Sequence, residues 1–211
     1  MKLLKDSEIP LPQWKAFIRE NNRSTPFQTP EYFNFFHSVS GMAARAFAVV
    51  DDEAIKSLTV VTYQKERGLK GYFSRRAIIY GGIPYDEEAP HSVDMLLKAI
   101  TEDTDRRSIY TEIRNLSDYR DLRKIFEENG FEYIPYLNFT IDTTDQEKMF
   151  GRISSSRQRQ IRKALKLSVT CSEASGIDEV QQFYMMLLRL YREKLHKPLP
   201  GEEFFIEFYR R

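Results

Sequence analysis

The spacing of apolar residues changes period several times along the chain. Residues 10–22 (PLPQWKAFIRENN) open on prolines and set Trp14, Phe17 and Ile18 at helical intervals, which predicts a short helix with those three inward. Thr29-Pro30-Glu31 reads as a second start, with Thr29 as the cap and Pro30 at the first helical position. Its apolar face is Tyr32, Phe33, Phe35, Phe36 and Val39, and Gly41 ends it. The pattern then shortens to strands. Residues 45–50, 54–62 and 71–80 form a predicted antiparallel meander, joined by Asp51-Asp52-Glu53 and by the loop at 66–70. Gly81-Gly82-Ile83-Pro84 breaks the third strand. Helical spacing returns at 91–103, with Val93, Leu96, Leu97 and Ile100 on one face. A strand at 108–114 follows, then a helix at 118–129 capped by Ser117 and stopped by Gly130. Residues 131–141 (FEYIPYLNFTI) read as a strand, with Pro135 at a bulge or edge.

Beyond that point a helix at 154–166 is capped by one of Ser154, Ser155 or Ser156, and 168–172 reads as a short strand. Residues 178–195 form a long helix carrying Val180, Phe183, Tyr184, Leu187, Tyr191 and Leu195 in register, and another helix begins at Glu202. The expected class is α/β: a mixed, mostly antiparallel sheet flanked by helices over residues 1–150. The order strand, helix, turn, helix within 151–211 reads as the start of a second copy of that unit. A helical hairpin alone cannot bury both apolar faces. It therefore packs on the first unit, self-associates, or continues in a longer protein.

Composition adds little until it is taken locally. The 211 residues are 41% hydrophobic, enough for a sizeable core, and the net charge is +1. Cys171 is the one cysteine, so no disulfide framework exists; it reads as a core thiol in a reducing compartment. No apolar run matches a signal peptide or a membrane span, which points to a cytoplasmic protein with peripheral membrane contact left open. The charge, however, is segregated. Residues 148–172 hold seven cations and no acid, so the rest of the chain carries a net −6. At about 100° per residue, Arg159, Arg162, Lys163 and Lys166 fall within an arc of about 100°, with Ile161, Ala164 and Leu165 opposite. Arg157 adds a fifth cation to this helix. Two readings stay open: an anion-binding ridge for a tRNA backbone or a substrate pyrophosphate, or a solvated face paired with the acidic remainder.

Other candidates are weighed the same way. Glycines at 81 and 82, just past a strand end, let a ligand approach the backbone beside Tyr80, or simply make a tight turn. Tyr110, Glu112 and Arg114 share a strand face: Glu112 reads as a base and Arg114 as an anion clamp, or the two neutralise each other. Arg114-Asn115 closes that strand as a binding candidate. Tyr191, Lys194 and Lys197-Pro198 fall where a second unit would begin its substrate loop, or are core and solvent positions. His37, His91 and His196 lack metal-ligand spacing, and neither a P-loop nor a nucleophile elbow occurs, so no metal site is expected.

Six stretches in order, TPFQTPEYF, AIIYGGIP, YTEIRNLSDY, GFEYIPYLNFTID, SSSRQRQIRKALK and YREKLHKPLPGEEFF, resemble the Fem-type aminoacyltransferases and their GNAT-like N-acyltransferase relatives. The resemblance spans nearly the whole chain. It implies two GNAT-like units in tandem, the second mostly absent here. It implies transfer of an activated acyl group, from aminoacyl-tRNA or acyl-CoA and without a bound cofactor, to an amine on a peptidoglycan or polysaccharide precursor. A lipid-linked acceptor would bring membrane contact. On that basis the candidate substrate-binding residues are Gln28, Tyr32, Tyr80, Gly81, Gly82, Arg114, Asn115, Tyr191 and Lys194, and the catalytic residue is unassigned. Two features depart from the family. Bridge-forming members follow the equivalent of Gln28 with Trp and Lys, where this chain has Tyr32 and Phe36, and neighbouring His37 is mostly neutral at pH 7. The pyrophosphate-cradling pattern of CoA-binding relatives is also missing, since RGLKG at 67–71 has the wrong spacing. The alternatives to an enzyme are a non-catalytic module binding RNA or anionic lipid, and a truncated scaffold that forms homo-oligomers.

Overall fold

A computed structural model describes residues 1–65, 74–197 and 199–211. The expected loop at 66–70, the RGLKG stretch, the first residues of the strand expected at 71–80, and Pro198 lie outside them.

Five strands form one sheet in the order β1-β2-β3-β4-β5: Lys2–Lys5, Met42–Asp51, Ala54–Gln64, Arg76–Gly81 and Tyr110–Asn115. The first four pair antiparallel, and β5 lies parallel to β4. The β2–β3 hairpin turns on Asp52 and Glu53, both at positive φ (45° and 67°), as a two-residue loop with the matching twist requires. The parallel pair needs a crossover, supplied by α3 (His91–Thr104).

Alternation along β2 divides the core. Ala44, Ala46 and Ala48 make a flat floor for the aromatic residues of α1 (Leu11–Glu20) and α2 (Pro30–Ser38), among them Trp14, Phe35 and Phe36. Phe47 and Val49 point the other way, into Val93, Leu96, Leu97 and Ile100 of α3 and Phe126 of α4 (Arg123–Glu128). Thr29 caps α2 through its hydroxyl, which accepts from the Tyr32 amide at 3.2 Å.

From residue 146 on the regular structure is helical: α5 (Gln146–Arg152), α6 (Ser155–Lys166), α7 (Ile177–Leu190), a π-helical turn Tyr191–Leu195, and α8 (Glu202–Arg210). Helix α8 bridges the two halves. Phe204 and Phe208 stack on Phe35 of α2 at 5.0 and 5.6 Å, and Phe205 meets Tyr184 of α7 at 5.6 Å.

Four expectations need correction. Residues 131–141 are not a strand: Pro135 has no amide proton, and Tyr136, Leu137 and Phe139 are exposed on both alternations, so no partner strand covers either face. Residues 168–172 are also irregular, because Ser168 at φ 55° turns the chain out of α6. Cys171 is consequently exposed rather than in a core. Neither Ser117 nor the serines before α6 make a side-chain cap; Arg120–Leu122 is a 3-10 turn that delays α4. Strand β1 and helix α5 were not expected. KLLK has no alternation to reveal it, and its strand character comes from pairing with β2.

Truncating a fully buried α3 side chain, Leu96→Ala, is expected to lower the unfolding free energy by about 2–5 kcal/mol in urea titration. Leu165→Ala on α6, where the side chain is 67% exposed, is expected to change it by less than about 0.5 kcal/mol.

Candidate functional site

The C-terminal ends of β4 and β5 carry most of the candidate residues. Their register sets Tyr80 beside Arg114 and Gly81 beside Asn115. Tyr80 and Arg114 share the sheet face away from α3, whereas Ile79 and Ile113 face α3. Arg114 donates twice to Glu112, both at 2.9 Å, and its guanidinium lies 5.1 Å from the Tyr80 ring centre. Glu112 and Arg114 thus neutralise each other, and the bonded carboxylate holds the guanidinium above its ordinary pKa. Tyr32 meets Phe27 and Tyr80 edge to face, and Phe27 lies tilted on Tyr80, with centroids 5.2 to 6.4 Å apart. Burial, reinforced by neighbouring Tyr80, pushes the Tyr32 phenol up, so it stays neutral. Phe36, where bridge-forming relatives place a cation, is buried against Tyr32 at 4.8 Å.

Behind this face, Gln28 fixes the strand end. It closes a 3-10 turn, Pro26–Gln28, and is wholly buried. Its Oε1 accepts from the Thr25 amide at 2.8 Å and the Thr25 hydroxyl at 2.7 Å. Its Nε2 donates to the Tyr80 carbonyl at 2.8 Å and the Gly82 carbonyl at 3.2 Å. Trp14 Nε1 donates to the Gln28 carbonyl at 2.7 Å. All four hydrogen-bonding sites of the amide are engaged within the chain, so Gln28 shapes the corner from beneath.

Gly81 and Gly82 lie at φ 83° and 90°, a conformation that favours glycine. A Cβ on Gly81 would strike the Thr25 hydroxyl and come within 2.5 Å of Gln28 Nε2. One on Gly82 would come within 2.7 Å of Asn115 Oδ1 and 2.8 Å of Tyr119 Oη. Those two oxygens are buried without a hydrogen-bond partner of good geometry; the Tyr119 hydroxyl lies towards the Ile83 amide without a well-formed bond.

Sequence reading missed the residues that brace the chain after Gly82. The Arg23 guanidinium lies 5.0 Å from the Tyr85 ring and 5.4 Å from the Tyr119 ring, and donates to the Asp118 carbonyl at 2.6 Å. Lys56 holds Asp86 at 2.8 Å, and the Asp86 amide donates to the Lys56 carbonyl at 2.7 Å. Those partners are 30 or more residues apart, and no local pattern announces them.

The remaining candidates lie elsewhere. Tyr191 and Lys194 sit in the π-helical turn, half-buried and exposed respectively. Arg157, Arg159, Arg162, Lys163 and Lys166 all lie on α6, and among the described residues none has a carboxylate at ion-pair distance. Arg157 donates to Gln160 at 2.9 Å, and Arg162 lies 5.5 Å from the Phe150 ring. Among the described residues no group of three or more His, Cys, Asp or Glu side chains is placed so that it could hold a metal ion.

No family model matches the chain, and no curated protein matches it. Among solved structures, FemX aligns over 100% of this chain with a TM-score of 0.65 and 15% identity. The chain spans about half of FemX, 54% of its length. The aminoglycoside 6'-N-acetyltransferase AAC(6')-IG from Acinetobacter haemolyticus is 14% identical over 67% of this chain and 100% of its own, with a TM-score of 0.46. The aminoglycoside N-acetyltransferase AAC(6')-Iy, in complex with CoA, is 10% identical over 66% of this chain and 97% of its own, at 0.47. At such identities the likeness speaks for the fold. The chain has a GNAT-like α/β fold, a five-stranded mixed sheet flanked by helices.

Replacing Gln28 by Leu removes the side-chain donor to the buried Tyr80 carbonyl and leaves the Gly82 carbonyl with the Thr59 hydroxyl at 3.3 Å; it is expected to cost about 1–3 kcal/mol for each polar group left unpaired, read by urea titration. A pH dependence follows from Asp86. The Lys56 hydrogen bond, seconded by the Glu88 amide, holds its carboxyl below the ordinary aspartate range. Its contribution is therefore full above the ordinary aspartate pKa and is lost as the pH falls through the lower, folded-state value. Asp86→Asn is expected to flatten the acid limb of a stability–pH curve measured between about pH 2 and 5.

Proposed function

We propose that this protein is an N-acyltransferase of the Fem-like type, working at the β4–β5 strand ends. The observation that carries the reading is the glycine corner. Two successive positive-φ glycines, both buried, let Thr25, Gln28, Asn115 and Tyr119 close on the backbone beside Tyr80 and Arg114, and Gln28 holds that corner rigid. Amine attack on an activated ester or thioester needs positioning and a route for the amine's proton more than it needs a protein nucleophile. A rigid corner walled by Tyr32, Phe27 and Tyr80 suits that requirement. The FemX likeness over the full chain supports the Fem-like branch by analogy of fold. The donor is an aminoacyl-tRNA or an acyl-CoA, and the acceptor is an amine on a cell-wall or polysaccharide precursor at the cytoplasmic side. Arg114, beside Tyr80 in the strand register and steadied by Glu112, is the binding cation.

The test offers the chain charged tRNA and acetyl-CoA separately, with a lysine-containing peptide and an amino sugar as acceptors. Acceptor-dependent discharge of one donor is expected. Arg114→Ala is expected to lower it at least about tenfold, the scale of one lost charge-assisted contact, with an unchanged melting midpoint. No discharge of either donor would remove the reading.

A further inference from the structure

Helix α6 is left with two unanswered faces. Arg159, Arg162, Lys163 and Lys166 form a ridge with no carboxylate within ion-pair distance among the described residues. Opposite the ridge, Leu165 is 67% exposed and Ile161 38%, and just past the helix Leu167 and Val169 are 67% and 60% exposed. Helix α6 joins α5: Gln158 Nε2 donates to the Phe150 and Ile153 carbonyls at 3.0 and 2.9 Å, and Arg162 covers the Phe150 ring. The hairpin therefore presents one cationic and one apolar strip, with no acid between residues 148 and 172.

We infer that the α5–α6 hairpin docks on an anionic lipid bilayer surface. Charge complementarity chooses the sign of the partner, since among the described residues the seven cations of 148–172 meet one carboxylate, Asp145 on Lys148. The apolar strip chooses the lipid. A nucleic acid would neutralise the ridge but leave Leu165, Leu167 and Val169 in water, and α6 offers no aromatic side chain on which a base could stack. A headgroup layer answers both strips. Phosphate oxygens meet the guanidinium and ammonium groups, and the leucines enter the boundary with the acyl chains, the arrangement of interfacial amphipathic helices. At 12 residues α6 is about 18 Å long, so it lies on a leaflet and does not cross one. The inference stands apart from the transferase reading, because it concerns binding without turnover.

Co-sedimentation of the full chain with phosphatidylcholine vesicles containing about one-third phosphatidylglycerol tests it. Binding is expected on these vesicles and not on pure phosphatidylcholine, and should weaken with salt; each cation near the surface contributes about fivefold. Arg159→Glu with Arg162→Glu should lower the partition coefficient by more than about twentyfold, and Leu165→Asn with Leu167→Asn should lower it at constant charge. All these positions are solvent-exposed, and an unchanged melting midpoint certifies the fold. Three results would overturn the inference: no sedimentation at low salt, equal binding to both vesicle types, or binding indifferent to both double variants. Salt-sensitive retention of tRNA without vesicle binding would reassign the ridge to RNA. Release from vesicles by millimolar glycerol phosphate would reassign it to a discrete phosphate site.

Discussion

One buried amide decides the geometry of the strand ends. Gln28 ties a 3-10 turn to the carbonyls of Tyr80 and Gly82, more than 50 residues away. Within a dry core a side-chain amide with all four hydrogen-bonding sites engaged is rigid, and any rearrangement would strand polar groups at a cost of about 1–3 kcal/mol each. The corner therefore cannot relax into a conventional strand end. Its glycines are kept at positive φ, and the atoms that would clash with a Cβ on Gly81 are those of Thr25 and Gln28, the clamp itself. Conformation and packing demand glycine independently at that place.

The open sheet face follows from the same arrangement. Helices α1 and α2 cover the alanine floor of β2 and the inner strands, and Tyr32 of α2 with Phe27 of the preceding 3-10 turn borders the covered area. Beyond that line β4 and β5 keep an aromatic and cationic surface: Tyr80, Arg114, Glu112 and the exposed Tyr110. A GNAT-like sheet with a parallel β4–β5 pair ends there in a corner of backbone bounded by phenols and one steadied guanidinium. Fold and candidate site are thus one construction, with the alanine floor setting how close α2 approaches and α2 setting where the uncovered strand ends begin.

Much of the frame was legible because it rests on period. Val93, Leu96, Leu97 and Ile100 announced α3, and Thr29-Pro30 announced α2, since spacing and capping are local properties. The strands at 131–141 and 168–172 were misread because alternation describes a side chain's preference and cannot supply a partner. Within the site, the glycines and Arg114 were visible as types at a strand end. The Gln28 amide geometry, the Arg23 stack on Tyr85 and Tyr119, and the Lys56–Asp86 pair were not, because each joins segments whose proximity only the folded sheet creates.

Charge segregation completes the physical account of α6. The chain has 31 acids, ample to neutralise seven cations, yet the ion pairs of the described residues cluster on the sheet domain and the α7–α8 pair. Like charges four apart on one helix face repel by a few tenths of a kcal/mol. Cations in the first turn, such as Arg157, oppose the helix dipole as well. An isolated 12-residue helix is marginal in water even before these terms. Among the described residues the segment is locally unfavourable, has no carboxylate on its ridge and is apolar on the opposite side, the combination on which the lipid-docking proposal rests. Under the lipid-docking proposal its stability and its binding are one interaction: a surface that supplies negative oxygens to the ridge would also help fold the helix that presents it.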